Sequence, residues 1–193
     1  FALLTIIIFN FAFEPGPERI GLVAPGVLWV AFTFAGILGL TRAFVREKEG
    51  HCLRGLMLCP VDREVIYFGK MLTSFTFMFL VELLVMPIFA IFLNLPLYPP
   101  GLLLIAFLAT LGFVGVGTIF SAIAVNTRAR ELMLPLLLLP ILVPLIIAAV
   151  KGTALVLERA PWGQLWPWLQ VLAAFDAIFI VLASLLFQYS LEE

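Results

Sequence analysis

Apolar residues fill six stretches of the chain, about 1–13, 20–40, 71–93, 101–125, 132–150 and 169–191. All but the first hold about twenty residues, the length a helix needs to cross roughly 30 Å of hydrocarbon. A membrane-spanning strand would need only about ten. The pattern therefore predicts an all-α integral membrane protein with six transmembrane helices in one membrane domain, 1–193. The first stretch, Phe1–Phe13, would cover only roughly 20 Å as a helix. It is expected to be the shortened end of a first span, because it has neither the basic n-region nor the small-residue cleavage site of a signal peptide.

The separators are rich in turn formers and charge: "EPGPER" at 14–19, "NLPLYPP" at 94–100 and "NTRARE" at 126–131. A longer connector, "KGTALVLERAPWGQLWPW", is expected before the sixth span. Ala31, Ala35 and Gly39 recur every four residues, as do Gly117 and Ser121, and such small faces let membrane helices approach closely. Pro135, Pro140 and Pro144 punctuate the fifth span; each removes a backbone donor and favours a bend.

Composition agrees with lipid as the solvent. Of 193 residues 64% are hydrophobic and 12% charged, with a mean hydropathy of +1.19, whereas a soluble domain is nearer half apolar and a quarter charged. The basic residues are few and cluster at the ends of apolar spans, which argues against nucleic acid as a partner. Their distribution sets an orientation. Eight fall in the 41–70 and 126–131 segments (Arg42, Arg46, Lys48, Arg54, Arg63, Lys70, Arg128, Arg130), and three, Arg19, Lys151 and Arg159, fall on the other side. The positive-inside rule then puts both segments and both termini in the cytoplasm. Trp162, Trp166 and Trp168 would form an aromatic belt at the outer interface.

Little in the chain supports catalysis. No G-x-x-x-x-G-K-[ST] is present: Gly69-Lys70 is followed by Met71, and Glu64 stands where the first glycine would be, so ATP hydrolysis by this chain is not expected. The lone histidine, His51, lies in a charged segment and offers no triad. Were Cys52 and Cys59 on one helix they would be roughly 10 Å apart along it, too far to share a zinc with Zn–S bonds of about 2.3 Å. No metal site is assigned. Two carboxylates fall inside spans. Glu82 lies twelve residues past Lys70, roughly 18 Å along a helix, and Asp176 lies in the outer part of the sixth span. An acid in lipid is costly, so each must be neutral, paired or turned to a polar cavity.

The segment Thr41–Lys70 has a pattern of its own. Phe44, Leu53, Leu56 and Met57 make a narrow apolar stripe among Arg46, Glu47, Lys48 and Arg54. Gly50 and Pro60 fence a short amphipathic helix at about His51–Leu58, and Asp62 can cap the helix that follows. Mixed charge on such a helix favours a protein groove over a lipid surface.

This segment, with Phe44, Glu47, Glu49-Gly50, Leu53, Leu56, Pro60, Arg63 and Gly69-Lys70, resembles the coupling loop of ABC exporter permeases with six spans per subunit. More specifically, the chain resembles the CcmB family, the heme-exporter permease subunits of bacterial cytochrome c maturation. The likeness rests on "FNFAFEPGPE", "LVAPGVLWVAFTFAGILGLTRAFVREKE", "LCPVDR", "NTRARELMLPLLLLPILVPLIIAAV" and "LFQYSLEE".

The resemblance implies a non-enzymatic permease in the bacterial inner membrane, driven by a separate CcmA-like ATPase subunit. It implies ATPase coupling through Phe44, Glu47, Glu49, Gly50, Leu53, Leu56 and Arg63. Further implied partners are a CcmC-like heme-handling membrane protein or a second permease copy, and a heme carrier on the outer face. Heme is the candidate cargo, reached by export or by release of the loaded carrier, and ATP enters through the partner. No cofactor is assigned to this chain. "PWGQLWPWL" is similar to a tryptophan-rich heme motif of CcmC but has Leu169 where that motif has an acid, and no flanking histidines, so heme is not assigned to it. Two alternatives stay open: a permease for lipid, glycan or drug, and a proton-coupled secondary transporter using Glu82 and Asp176.

Overall fold

The computed structural model describes residues 2–13, 20–49, 63–92, 99–124 and 130–190. Six helices account for nearly all of them: α1 (Ala2–Phe13), α2 (Ile20–Glu49), α3 (Arg63–Phe92), α4 (Pro100–Ala124), α5 (Arg130–Leu157) and α6 (Trp162–Ser190). Among the described residues there is no strand. The helices α2 to α6 are each long and apolar enough to cross a bilayer. The chain is a multi-pass membrane protein.

The centre of the bundle is α4. It packs against α2, α3, α5 and α6, while α1 leans on α2 and α3. In α4 72% of the apolar window is buried, against 28% in α3 and in α6. The faces that α3, α5 and α6 turn outward are aliphatic and aromatic: Leu72, Phe77, Leu84 and Ile91 on α3, Leu136 on α5, and Ile178 on α6. Polar side chains sit inside instead, among them Glu82, Thr110, Thr118, Ser121, Thr153 and Asp176. An oily rim around a mostly apolar interior that also takes in these few polar groups suits lipid, where an exposed polar side chain is costly.

Helix ends follow local chemistry. Pro99 and Pro100 open α4: the Pro99 carbonyl accepts from the Leu102 and Leu103 amides at 2.9 and 3.2 Å, and Pro100 takes the first position, where a missing amide costs nothing. At the end of α5, Ala160 donates its amide to the Leu155 carbonyl and Arg159 donates to Val156, at 2.9 and 3.1 Å. Those paired bonds form a Schellman stop, with Arg159 at φ 55° in the left-handed position that glycine usually takes. The turn is so tight that α6 begins at Trp162.

Several expectations shift here. The long connector expected before the sixth span is mostly helix: α5 runs on to Leu157, and "WGQLWPW" forms the opening turns of α6. Trp162 and Trp166 are exposed on one face, while Trp168 packs against the core. One helix carries Pro135, Pro140 and Pro144, and Pro25, Pro87 and Pro167 also lie within helices. The stripe Ala31, Ala35, Gly39 is not a contact face along its whole length. Ala31 is buried, but Gly39 is exposed with no neighbour near its Cβ position. The close approach of α2 is instead at Gly36, against Met78 and Phe113.

Candidate functional site

The coupling residues can be placed only in part. Gly50, Leu53, Leu56 and the expected helix at His51–Leu58 lie outside the described residues, as do Cys52 and Cys59. For Phe44, Glu47, Glu49 and Arg63 only the helical backbone is described. What the backbone adds is length. The apolar window of α2 ends at Thr41, yet the helix continues to Glu49, carrying Arg42, Arg46, Glu47 and Lys48 about 12 Å further. The next helix opens at Arg63, directly after Asp62.

The two intramembrane acids are fully inside. Glu82 of α3 is 2% exposed and Asp176 of α6 is 5% exposed. Both are set against α4, at neighbouring positions. The Thr110 hydroxyl donates to Glu82 Oε2 at 2.5 Å, and Gly112 faces Asp176, whose Oδ1 stands where a side chain at that position would begin. Two residues along a helix are about 3 Å of rise and roughly 200° of rotation. The acids therefore approach the central helix from opposite sides at one level. Thr110 is the eleventh residue of the apolar window Pro100–Ser121, which has 22, so that level is the middle of the span. Because α6 starts at Trp162, Asp176 is about 21 Å along it, deeper than the outer position expected from a start at Leu169.

Their surroundings differ. Beside Glu82 is a small cavity bounded by α2, α3, α4 and α5, with Trp29, Thr33, Thr110 and Ala149 on its wall. It leaves a water molecule's centre about 10 Å³, about the minimum for one water. Small-molecule pockets run to about 300–1,000 Å³, so nothing approaching a heme fits there. Oxygen Oε1 of Glu82 has no hydrogen-bond partner in the structure, and neither has Asp176 Oδ1 or Oδ2. Leu145 of α5 touches both places: it lines the cavity and its Cδ1 lies 2.8 Å from the Cβ position of Gly112.

Three polar contacts, that of Thr110 among them, were not anticipated from sequence. The Trp29 indole donates to Thr153 Oγ1 at 2.9 Å, tying α2 to α5. The Tyr67 hydroxyl donates to the Gly115 carbonyl at 2.9 Å, tying α3 to α4. Tyr67 belongs to the charged 41–70 segment, yet it is completely buried. Its own position gave little sign of this, since a tyrosine beside Phe68 and Lys70 also suits an interface. Thr110 is the third, and it did carry a signal: it is a lone hydroxyl within "LLLIAFLATLGF". A polar group in such a run needs a partner, and the acid on α3 supplies it. The half-exposed Phe107 sits edge-on to Phe75 and Phe79, with centroids at 5.2 and 5.9 Å, and closes the lipid side of the same α3–α4 interface.

Comparison with known proteins places this bundle. Heme exporter protein B of Pseudomonas aeruginosa is 29% identical over 175 residues, 90% of this chain and 78% of its own length. The protein of the same name from Rhodobacter capsulatus is 31% identical over 150 residues, 76% of this chain and 68% of its own. That of Paracoccus denitrificans is 31% identical over 154 residues, 79% and 70%. The family profile described as CcmB protein matches residues 1–193, which takes in every described helix and both buried acids, and the chain belongs to that family.

Proposed function

We propose that this chain is the permease subunit of an ABC-type complex of the bacterial inner membrane that exports heme or releases a heme-loaded carrier for cytochrome c maturation. The observation that carries the reading is the family match along the whole chain, with relatives named heme exporter protein B. The charge bias places both termini and Thr41–Lys70 in the cytoplasm. There the extension of α2 to Glu49 and the start of α3 at Arg63 bracket a segment that a partner ATPase grips. Phe44, Glu47, Glu49, Gly50, Leu53, Leu56 and Arg63 form that grip. The nucleotide is bound by the partner, since this sequence has no phosphate loop. The cavity beside Glu82 has room for about one water, and in this reading heme is handled at a surface shared with another subunit, a CcmC-like protein or a second copy of this permease.

The test is the ATPase activity of the complex purified from native membranes. Replacing Glu47 and Glu49 together by glutamine is expected to lower it about tenfold, the effect of about 1.4 kcal/mol of lost coupling, with unchanged insertion of the permease. Full activity in the double variant would remove the coupling assignment. Two acids at mid-span favour one second reading, proton-coupled transport by this chain alone. It requires uptake driven by a pH gradient in vesicles holding only this protein and lost on Glu82→Gln.

A further inference from the structure

The oxygen that the fold leaves open is Oε1 of Glu82. Its sister, Oε2, accepts from Thr110 at 2.5 Å, so Oε2 is occupied as an acceptor. Oε1 is buried without a partner on a side chain that lines a cavity just large enough for one water. Among the described residues no cation answers the acid from the walls. The α2 side presents Trp29, Phe32 and Thr33, and the α5 side Leu145, Ile146 and Ala149. On α4 the neighbours are Ala109, Thr110 and Phe113, and on α3 Met78. None of these ionises. The nearest acid at this level, Asp176, is behind α4 on its far side. A carboxylate enclosed this way would lack any compensation, whereas a neutral acid needs only an acceptor for its O–H.

We infer that Glu82, Thr110 and this cavity form a proton-binding site holding one water in the middle of the membrane. The proton resides on Oε1 and is donated to the water, while Thr110 fixes the other oxygen and with it the rotamer. Thr33, on the α2 wall, provides a second polar group for the water, which needs two to four partners. The indole of Trp29 is already committed to Thr153. Exchange is a simple acid–base step. A hydronium in the cavity gives up one O–H bond, Oε1 gains one, water remains, and the site passes from one negative charge to neutral. The site touches four helices at once, so its protonation state bears on how α3 sits against α4 whatever the cargo is. It depends on neither reading of the transport function.

Infrared difference spectroscopy tests it on the full-length protein, with its native subunits, in lipid nanodiscs. A carbonyl band of a protonated carboxylic acid is expected that fades as pH rises and shifts on exchange into D2O. It should persist in Asp176→Asn, which removes the other buried acid, and in that background vanish on Glu82→Gln and move to higher frequency on Thr110→Val, where the carbonyl loses a donor. Filling the cavity by Ala149→Leu should displace the water and shift the band likewise. A wild-type protein with no carboxylic band at any pH, or one indifferent to D2O, would overturn the proposal without recourse to any variant. So would a band that survives Glu82→Gln in the Asp176→Asn background, or one unmoved there by both Thr110→Val and Ala149→Leu. Loss of ATPase coupling in the Glu47 and Glu49 variant would leave these spectra unchanged, so the two proposals fail separately.

Discussion

At the scale of single residues, polar contacts and missing side chains do the work that hydrophobic burial does in water. Thr110→Val keeps the shape and removes the donor to Glu82. Interhelical hydrogen bonds in membranes contribute about 0.6 kcal/mol on average and about 1.7 at most. Because this one meets a fully buried acid, the expected loss is about 1–2 kcal/mol, read from reversible unfolding in bicelles. Gly112 makes a sharper test. A Cβ there would meet Asp176 Oδ1, Leu145 Cδ1 at 2.8 Å and Phe175 Cδ1 at 3.1 Å, so neighbours on two helices crowd it together and no single side chain can swing clear. Gly112→Ala is expected to destabilise by about 1–3 kcal/mol, the usual cost of overpacking. Gly39→Ala, with nothing near its Cβ position, should stay within about 0.5 kcal/mol of wild type in the same assay. Equal losses at the two glycines would contradict the packing described.

At the scale of helices, the interior of each span was legible in the sequence and the ends were not. The five long apolar runs became α2 to α6 because twenty apolar residues in lipid have no other way to satisfy their backbone. Boundaries were missed where polar or aromatic residues remain helical. Trp162 to Trp168 resembled a connector, since Pro161, Gly163 and Pro167 are turn residues in water, but Pro167 is tolerated inside α6. The apolar run of the second span ends at Leu40, yet the helix goes on to Glu49, because charge says nothing against helix. Glu82 and Asp176 were recognisable as intramembrane acids. Their alignment on opposite sides of α4 was not, because depth depends on where α6 starts. The Schellman turn after α5 gives a test at this scale. Arg159 holds φ 55° with an exposed side chain, a conformation that glycine adopts without steric cost. Arg159→Gly is therefore expected to stabilise the protein by about 0.5–1 kcal/mol. A destabilised variant would mean that the guanidinium makes a contact that outweighs the backbone gain.

For the whole molecule, an oily exterior, an interior that holds the few buried polar side chains, and an α2 that runs past its apolar window to Glu49 fit the proposed role of a subunit moved by a partner. The cavity beside Glu82 leaves room for about one water and none for a heme. The chain belongs to the CcmB family. The most direct measurement is affinity purification of the full-length protein from its native membrane, followed by identification of what accompanies it and assay of ATP hydrolysis. The account predicts a stoichiometric ATPase subunit whose activity in the complex falls about tenfold when Glu47 and Glu49 are replaced, together with a heme-handling membrane protein. Recovery of this chain alone, or with partners that hydrolyse no ATP, would contradict it.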